Sequence, residues 1–454
     1  MRLPFLFCCV VLVACQGQPV AEVTKSHGID DQSGLSTLAM APATGLPARR
    51  GNAEMAADFL DLEFQMESGK RLPVLTRFSG PITYGLSGEV PASARRDVAA
   101  LVARLRSEAG LDLRAVPDGA PAALTIEFSA KSTLSRLEPS AACFVVPNVS
   151  SLREYRSQIG SSALDWGLMT RRDRAAIFIP SDTSPQEIRD CLHEEMAQAL
   201  GPVNDLYRLP DSVFNDDNFQ STLTGFDMLM LRLHYAPQLQ SGMTEAEVAA
   251  RLPDLIAALN PAGAGVGTVT GGPTPRVWLD AVNRALGPHA PDAARLQAAR
   301  QMVAIAEAEG WQDNRLGFAY FVLGRLLSKQ DVAAAWQAYD AAGRIYAGLA
   351  DGGVHLSHVQ MQLAALALGS HQPEAAISFV DSALPVAQRF QNASQLTILM
   401  LIKAEALAQL GRDTEARALR LDSASYARYG IGTEPDIRAR AQEIAALAAR
   451  GTGG

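Results

Sequence analysis

Cys191-Leu-His-Glu-Glu-Met-Ala-Gln-Ala-Leu-Gly-Pro-Val-Asn-Asp205 reads as the second half of a helix that stops at a fixed place. Leu192, Met196 and Leu200 recur at helical spacing and define an inward face. Gly201-Pro202 ends the helix, because proline cannot continue it. Its start lies upstream: Ser184 has the form of an N-cap, Pro185 suits the first helical position, and Glu187 places a negative charge in the first turn. Glu194 and Gln198, four apart, share one helix face. The simplest reading makes that face a solvated one.

A second reading comes from spacing. In a helix of the H-E-x-x-H-x-x-G-x-x-H type, two histidines four apart bind zinc, a glutamate beside the first is the general base, and a glycine lets the chain turn toward a third ligand. Started at His193, the template puts Ala197 at the second ligand position and Leu200 at the turn, so that register fails. Started one residue later, Glu194 takes the first ligand place, Glu195 the base, Gln198 the second ligand place, Gly201 the turn and Asn204 the third, with Asp205 adjacent. The stretch therefore resembles a zincin-like metallopeptidase helix whose ligands have been replaced. Zinc accepts a carboxylate such as Glu194, whereas the amide oxygens of Gln198 and Asn204 suit a hard cation such as calcium better. His193 lacks a partner at i+4 and reads as a surface or first-turn histidine, unless an irregular helix draws it into the site.

The sequence after this helix adds Ser212-Val-Phe-Asn-Asp-Asp217 and Leu223-Thr-Gly-Phe-Asp-Met-Leu-Met-Leu-Arg-Leu-His-Tyr235. With E-E-x-x-Q-x-x-G-x-x-N-D, these motifs resemble an uncharacterised family of proteobacterial putative lipoproteins known only by a domain of unknown function, over about residues 55 to 245. The layout is also similar to metzincin peptidases, in which a methionine turn lies under the metal, and Met243 is the candidate for that turn. Asn215-Asp-Asp-Asn218 reads as a turn, with calcium binding as the alternative.

The amino terminus points to a compartment. Arg2 precedes an apolar run from Leu3 to Val13, and Leu12-Val-Ala-Cys15 has the form of a bacterial lipobox. The expectation is a lipoprotein signal peptide over 1–15 with Cys15 lipidated. The run is too short for a stable membrane span. Gln16 after the cysteine implies, by resemblance, anchoring at the periplasmic face of the outer membrane. Cys8 and Cys9 leave with such a signal, so Cys143 and Cys191 remain to form one disulfide, with two buried thiols as the alternative. Residues 16–52, rich in Gly, Ser, Ala, Pro and Thr, read as a flexible tether reaching on the order of 35 Å.

At 454 residues and 48% hydrophobic content the chain is long enough for two or three domains. The net charge of −8 without basic clusters excludes nucleic acid as an expected partner, and no nucleotide-binding fingerprint occurs. Residues 53–258 read as an α+β metallopeptidase-like domain. Phe59 to Met66 alternates as a strand, Leu75 to Phe78 and Ile82 to Leu86 suggest another, Ala92 to Glu108 is an amphipathic helix, and Leu124 to Phe128, Cys143 to Val146 and Ala175 to Pro180 are further strands.

A Gly/Pro linker at 259–275 leads to residues 276–450, where helical patterns repeat. Pro291-Asp-Ala-Ala294, Asp331-Val-Ala-Ala-Ala335, Gln372-Pro-Glu-Ala-Ala376 and Asp413-Thr-Glu-Ala416 open successive helices, with the last alanines 41, 41 and 40 residues apart. Leu323-Gly324 followed by Ala335, Tyr339 and Ala342 resembles a tetratricopeptide unit, which implies a groove for a protein or peptide. The expected fold class is an α+β zincin-like N-terminal domain plus an all-α tetratricopeptide-like solenoid. Three functional readings stay open: a lipid-anchored cell-envelope protein whose metallopeptidase-like domain has lost its ligands, an active metal-dependent endopeptidase with zinc or calcium as its ion, and a non-enzymatic assembly protein.

Overall fold

A computed structural model describes residues 50–139, 141–267, 272–287 and 290–449. The expected signal peptide, Cys15, most of the expected tether and residues 268–271 of the expected linker lie outside the described residues. The described chain forms two compact units that divide near residue 270. No helix among the described residues is long and apolar enough to cross a membrane.

The first unit runs α1 (Asn52–Phe64), β1 (Ile82–Gly88), α2 (Ala92–Glu108), β2 (Leu113–Ala115), β3 (Leu124–Ser129), α3 (Lys131–Leu134), β4 (Phe144–Pro147), α4 (Leu152–Gln158), β5 (Ala175–Pro180), α5 (Pro185–Leu200), α6 (Gly225–His234), α7 (Glu245–Ala249) and α8 (Leu252–Leu259). Its sheet has the order β2-β1-β3-β5-β4. β2, β1, β3 and β5 are parallel, and β4 pairs antiparallel with β5, Phe144 opposite Phe178.

β5 is buried along its whole length, as a strand covered on both faces must be. Ala175, Ile177 and Ile179 point into the main core with α2 and α5, while Ala176 and Phe178 point the other way, against Val146, Leu152 and Tyr155. That alternation places the sheet between two helical layers. On β3 the same rule turns Glu127 away from the main core, where its carboxylate accepts from Leu152 N at 2.9 Å.

Two expected strands are something else. Phe59 to Met66 lies mostly within α1, because the inward residues are Met55, Phe59 and Leu62, a helical spacing that starts before the alternating stretch. Asp58 and Glu63 are buried with them and paired, Asp58 with Arg50 and Arg208 at 2.8 Å each, and Glu63 with His234 Nδ1 at 2.6 Å. Leu75 to Phe78 joins no sheet. Its main chain bonds the turn near Met243, Leu75 N to Met243 O at 2.8 Å and Gly242 N to Leu75 O at 2.9 Å.

The second unit is all helical: α9 (Arg276–Leu286), α10 (Asp292–Ala308), α11 (Asn314–Leu327), α12 (Val332–Gly348), α13 (Gly353–Gly369), α14 (Pro373–Arg389), α15 (Ala393–Gln409), α16 (Asp413–Asp422), α17 (Ala424–Gly430) and α18 (Glu434–Ala449). The four repeated openings begin α10, α12, α14 and α16. Ala335, Ala376 and Ala416 are fully buried, but Ala294 is exposed, since α10 buries Leu296, Ala299 and Met302 instead. The glycine at 324 is required by packing. A Cβ there would lie 2.9 Å from the Tyr339 ring, so its absence lets α11 and α12 close on each other. At the start of the unit, Arg315 is fully buried against the Trp311 ring at 3.6 Å and pairs with Asp313 at 2.6 Å.

Candidate functional site

α5 is held at both ends. Ser184 Oγ accepts from Glu187 N at 3.2 Å with Pro185 at the first helical position, as the sequence predicts. At the other end Arg172, buried beside the Trp166 ring, donates to Gln198 O at 3.0 Å and Ala199 O at 2.9 Å, and Tyr235 Oη donates to Leu200 O at 2.7 Å. A cation at the last carbonyls also complements the helix dipole. Gly201 is needed because a Cβ there would meet Leu231 Cδ2 of α6 at 2.7 Å. On its flank α5 is stapled to the sheet edge by the disulfide Cys143–Cys191, with Cα atoms 6.0 Å apart. Closing that 48-residue span constrains the unfolded chain by about 4 kcal/mol.

The core-facing stripe of α5 is Ile188, Cys191, Leu192, Met196 and Ala199, all buried, and Glu195 lies within it at 4% exposed. Its Oε2 is enclosed and accepts no hydrogen bond. Burial and the neighbouring carboxylates of Glu194 and Glu67 push the Glu195 carboxyl well above the usual range. The shift favours the protonated form, which cannot act as a general base.

Around Glu195 the structure gathers acids from separate segments. Glu194 is half-buried one residue before it, and burial with repulsion from Asp216, Glu67 and Asp190 pushes its carboxyl up to about 8. Asp205 is half-buried and pushed well up by burial, Glu67, Asp216 and Glu194, with a hydrogen bond to Glu67. One of its oxygens accepts from Gln198 Nε2 at 2.9 Å, while Oδ1 is enclosed and without a partner. Glu67 and Asp216 are exposed, so water screens the repulsion at the rim more than at the floor. Asp216 accepts from Tyr207 Oη at 3.3 Å. The arrangement is an acidic cluster in which Glu195 is the most buried member.

Of the sequence-predicted site residues, Glu194, Glu195, Gln198 and Asp205 come together here. His193 and Asn204 do not join them. The His193 ring is buried, not on the surface, and its Nδ1 accepts from Leu223 N at 3.0 Å. Burial and the nearby Arg189 and Arg104 keep it neutral, pushing its pKa well down. Asn204 Nδ2 donates to Asp61 O at 2.9 Å, tying the loop after α5 to α1. Asn215 and Asp217 are consumed within their own turn, Asn215 Nδ2 bonding Leu209 O at 2.6 Å and Asp217 at 2.8 Å. Met243 sits in the turn that binds Leu75. Glu67 was missed by sequence reasoning because its turn carries no periodicity; Asp216 was visible only as part of an acidic run.

This donor set does not fit zinc. With His193 directed to Leu223 and Asn204 to Asp61, the frame offers carboxyls and one amide and no imidazole. Among the described residues no three His, Cys, Asp or Glu side chains are arranged to hold a metal ion by themselves.

No curated protein and no solved structure matches the chain. Residues 52–254, from α1 into α8, match the model of a family described as "Protein of unknown function (DUF2927)", and the helical unit follows that match.

Proposed function

We propose that this chain is a lipid-anchored cell-envelope protein in which a metallopeptidase-like domain that no longer uses zinc is coupled to a tetratricopeptide-like module that captures a protein or peptide. The single observation that carries the reading is the fate of the α5 frame. Its cap, its base position and its turn glycine are kept, yet the base carboxyl is buried with its pKa pushed well up, and the one histidine serves a backbone amide instead. A peptidase needs an ionised base beside a metal-bound water; here burial and repulsion from Glu194 and Glu67 act against that ionisation. The lipobox at Cys15 supports the anchor. Repeated openings at 41, 41 and 40 residues, each starting a helix, and the Gly324–Tyr339 approach support the repeat module.

The test is elemental analysis of the full chain, extracted in mild detergent and purified without chelator or a metal-binding tag. The expected result is no stoichiometric zinc. About one zinc per chain, lost in Glu194→Ala, would overturn the reading and make Glu195 a working base.

A further inference from the structure

We infer that α18 lies in the groove of the repeat module as a displaceable internal occupant, and that the partner this groove takes is an amphipathic helix with the apolar spacing of α18. The inference deepens the capture reading of the helical unit and rests on it.

In a curved stack of helix pairs one row of helices forms the concave side. Here that row contains α13 and α15, the first helices of two successive pairs, which pack directly on each other. Both are buried nearly all round, and from Gln395 to Ile402 every residue of α15 is buried. Stacking on neighbouring pairs covers only some sides of such a helix, so an apolar inner side needs another cover. α18 supplies it. A helix that merely continued the stack would lie against the pair before it, whereas α18 packs chiefly on α13 and α15, across two pairs. Ile444 joins the apolar cluster that these helices form with α14, and Ala441, Leu447 and Ala448 pack against that cluster. Ile437, Ala441, Ile444 and Ala448 make one face of α18, while Asp436, Arg438, Gln442 and Glu443 are exposed. This is how an amphipathic helix docks in an apolar groove.

α18 is held lightly for what it covers. Ile444 is its one buried residue, whereas most of α13 and of α15 is buried. Gln409 on α15 bridges the two surfaces, donating to Leu368 O at 3.3 Å and to Ala448 O at 3.0 Å. The joint before α18 is anchored on one side, since a Cβ on Gly430 would collide with Ser394 N at the start of α15. On the other side Gly432, at φ 105°, has no Cβ to restrict a change of path.

Hydrogen exchange of the full chain in detergent, read by mass spectrometry, tests the displacement. Amides of residues 434–449 are expected to exchange at least about a hundredfold faster than those of α13 and α15. Equal protection overturns the inference. Capture is tested with a fluorescent synthetic peptide of residues 434–449, titrated into the parent and into Ile444→Glu, which puts a charge at the anchor of α18. The expected result is binding at least about tenfold tighter to the variant, because the parent's groove is open only part of the time, and none by a peptide carrying the same substitution. Gln409→Ala, which removes only the bridge to Ala448, is expected to bind the peptide several-fold tighter than the parent and keeps the test decisive should Ile444→Glu not fold. Affinity unchanged in a folded variant overturns the inference, as does binding of the substituted peptide. The two failures differ: a locked α18 leaves capture to another face of the module, whereas a groove that opens and takes no helix sinks the capture reading at this face as well.

Discussion

The two units solve the burial of polar groups in opposite ways. The first encloses charged groups and gives them partners: Arg50 and Arg208 around Asp58, the His234 imidazole hydrogen-bonded to Glu63, Arg172 on the last carbonyls of α5. Among the described residues the second buries no carboxylate, and its inner polar side chains are mostly neutral ones such as Gln362, Gln395, Ser357 and Thr397. Small residues and rings hold it together. A chain built on enclosed ion pairs depends on every partner being present, while one built on alanine and glycine against aromatics depends on volume. The first unit should therefore respond to charge, pH and redox state, and the second to changes of shape.

The largest expected effect breaks the second unit. Tyr339 is fully buried, stacks edge-on with Phe321 at 5.6 Å and fills the space that Gly324 leaves. Tyr339→Ala should cost about 3–5 kcal/mol and lower the unfolding temperature of the helical unit in calorimetry, leaving the first transition where it was. Equal falls in both transitions would show that the two units do not unfold separately.

Next comes the staple of the first unit. Reduction, or Cys143→Ala with Cys191→Ala, should cost about 3–4 kcal/mol, seen as a lower first transition with the helical one unmoved. A first transition indifferent to dithiothreitol would mean that the sheet edge and α5 are held by packing alone.

These two contacts also show what was legible in the sequence. The helical unit declares itself locally: the period near 41 residues and the Leu323-Gly324…Tyr339 pattern put both sides of each contact within one or two turns of a readable motif. In the first unit α2, β3, β5 and α5 were legible because their apolar spacing is local, and the Cys143–Cys191 pairing because only two cysteines lie beyond the expected signal and lipobox. α1 was misread since Leu60, Leu62 and Phe64 alternate while Met55, Phe59 and Leu62 do the packing. The acidic cluster was half visible. Glu194, Glu195 and Asp205 stood in a motif, but Glu67 reaches them from a turn more than 120 residues away. His193 was misplaced for the same reason, its partner being the backbone of Leu223.

The smallest effect at neutral pH is the most discriminating. A carboxyl whose folded pKa lies above its unfolded value keeps a proton that the unfolded chain releases. The stabilisation is complete below about 4.5, the ordinary value for Glu194, and is lost as pH climbs through about 8. The first transition should therefore fall across that range by on the order of 2 kcal/mol after allowance for the solvent-screened rim, with the helical transition as internal reference. Glu195→Gln keeps the shape of the protonated side chain and removes its ability to ionise. At the acid end of the range parent and variant should melt within about 1 kcal/mol of each other, because both present a neutral group to Glu194 and Glu67. As pH rises the variant should gain on the parent, because ionising Glu195 among like charges costs the parent stability. If instead the variant melts several degrees lower throughout, the Glu195 carboxylate is already ionised and paired in the folded domain. The contrast between a charge-dependent first unit and a shape-dependent second would then rest on an attraction at α5 rather than on a repulsion held in check by protons.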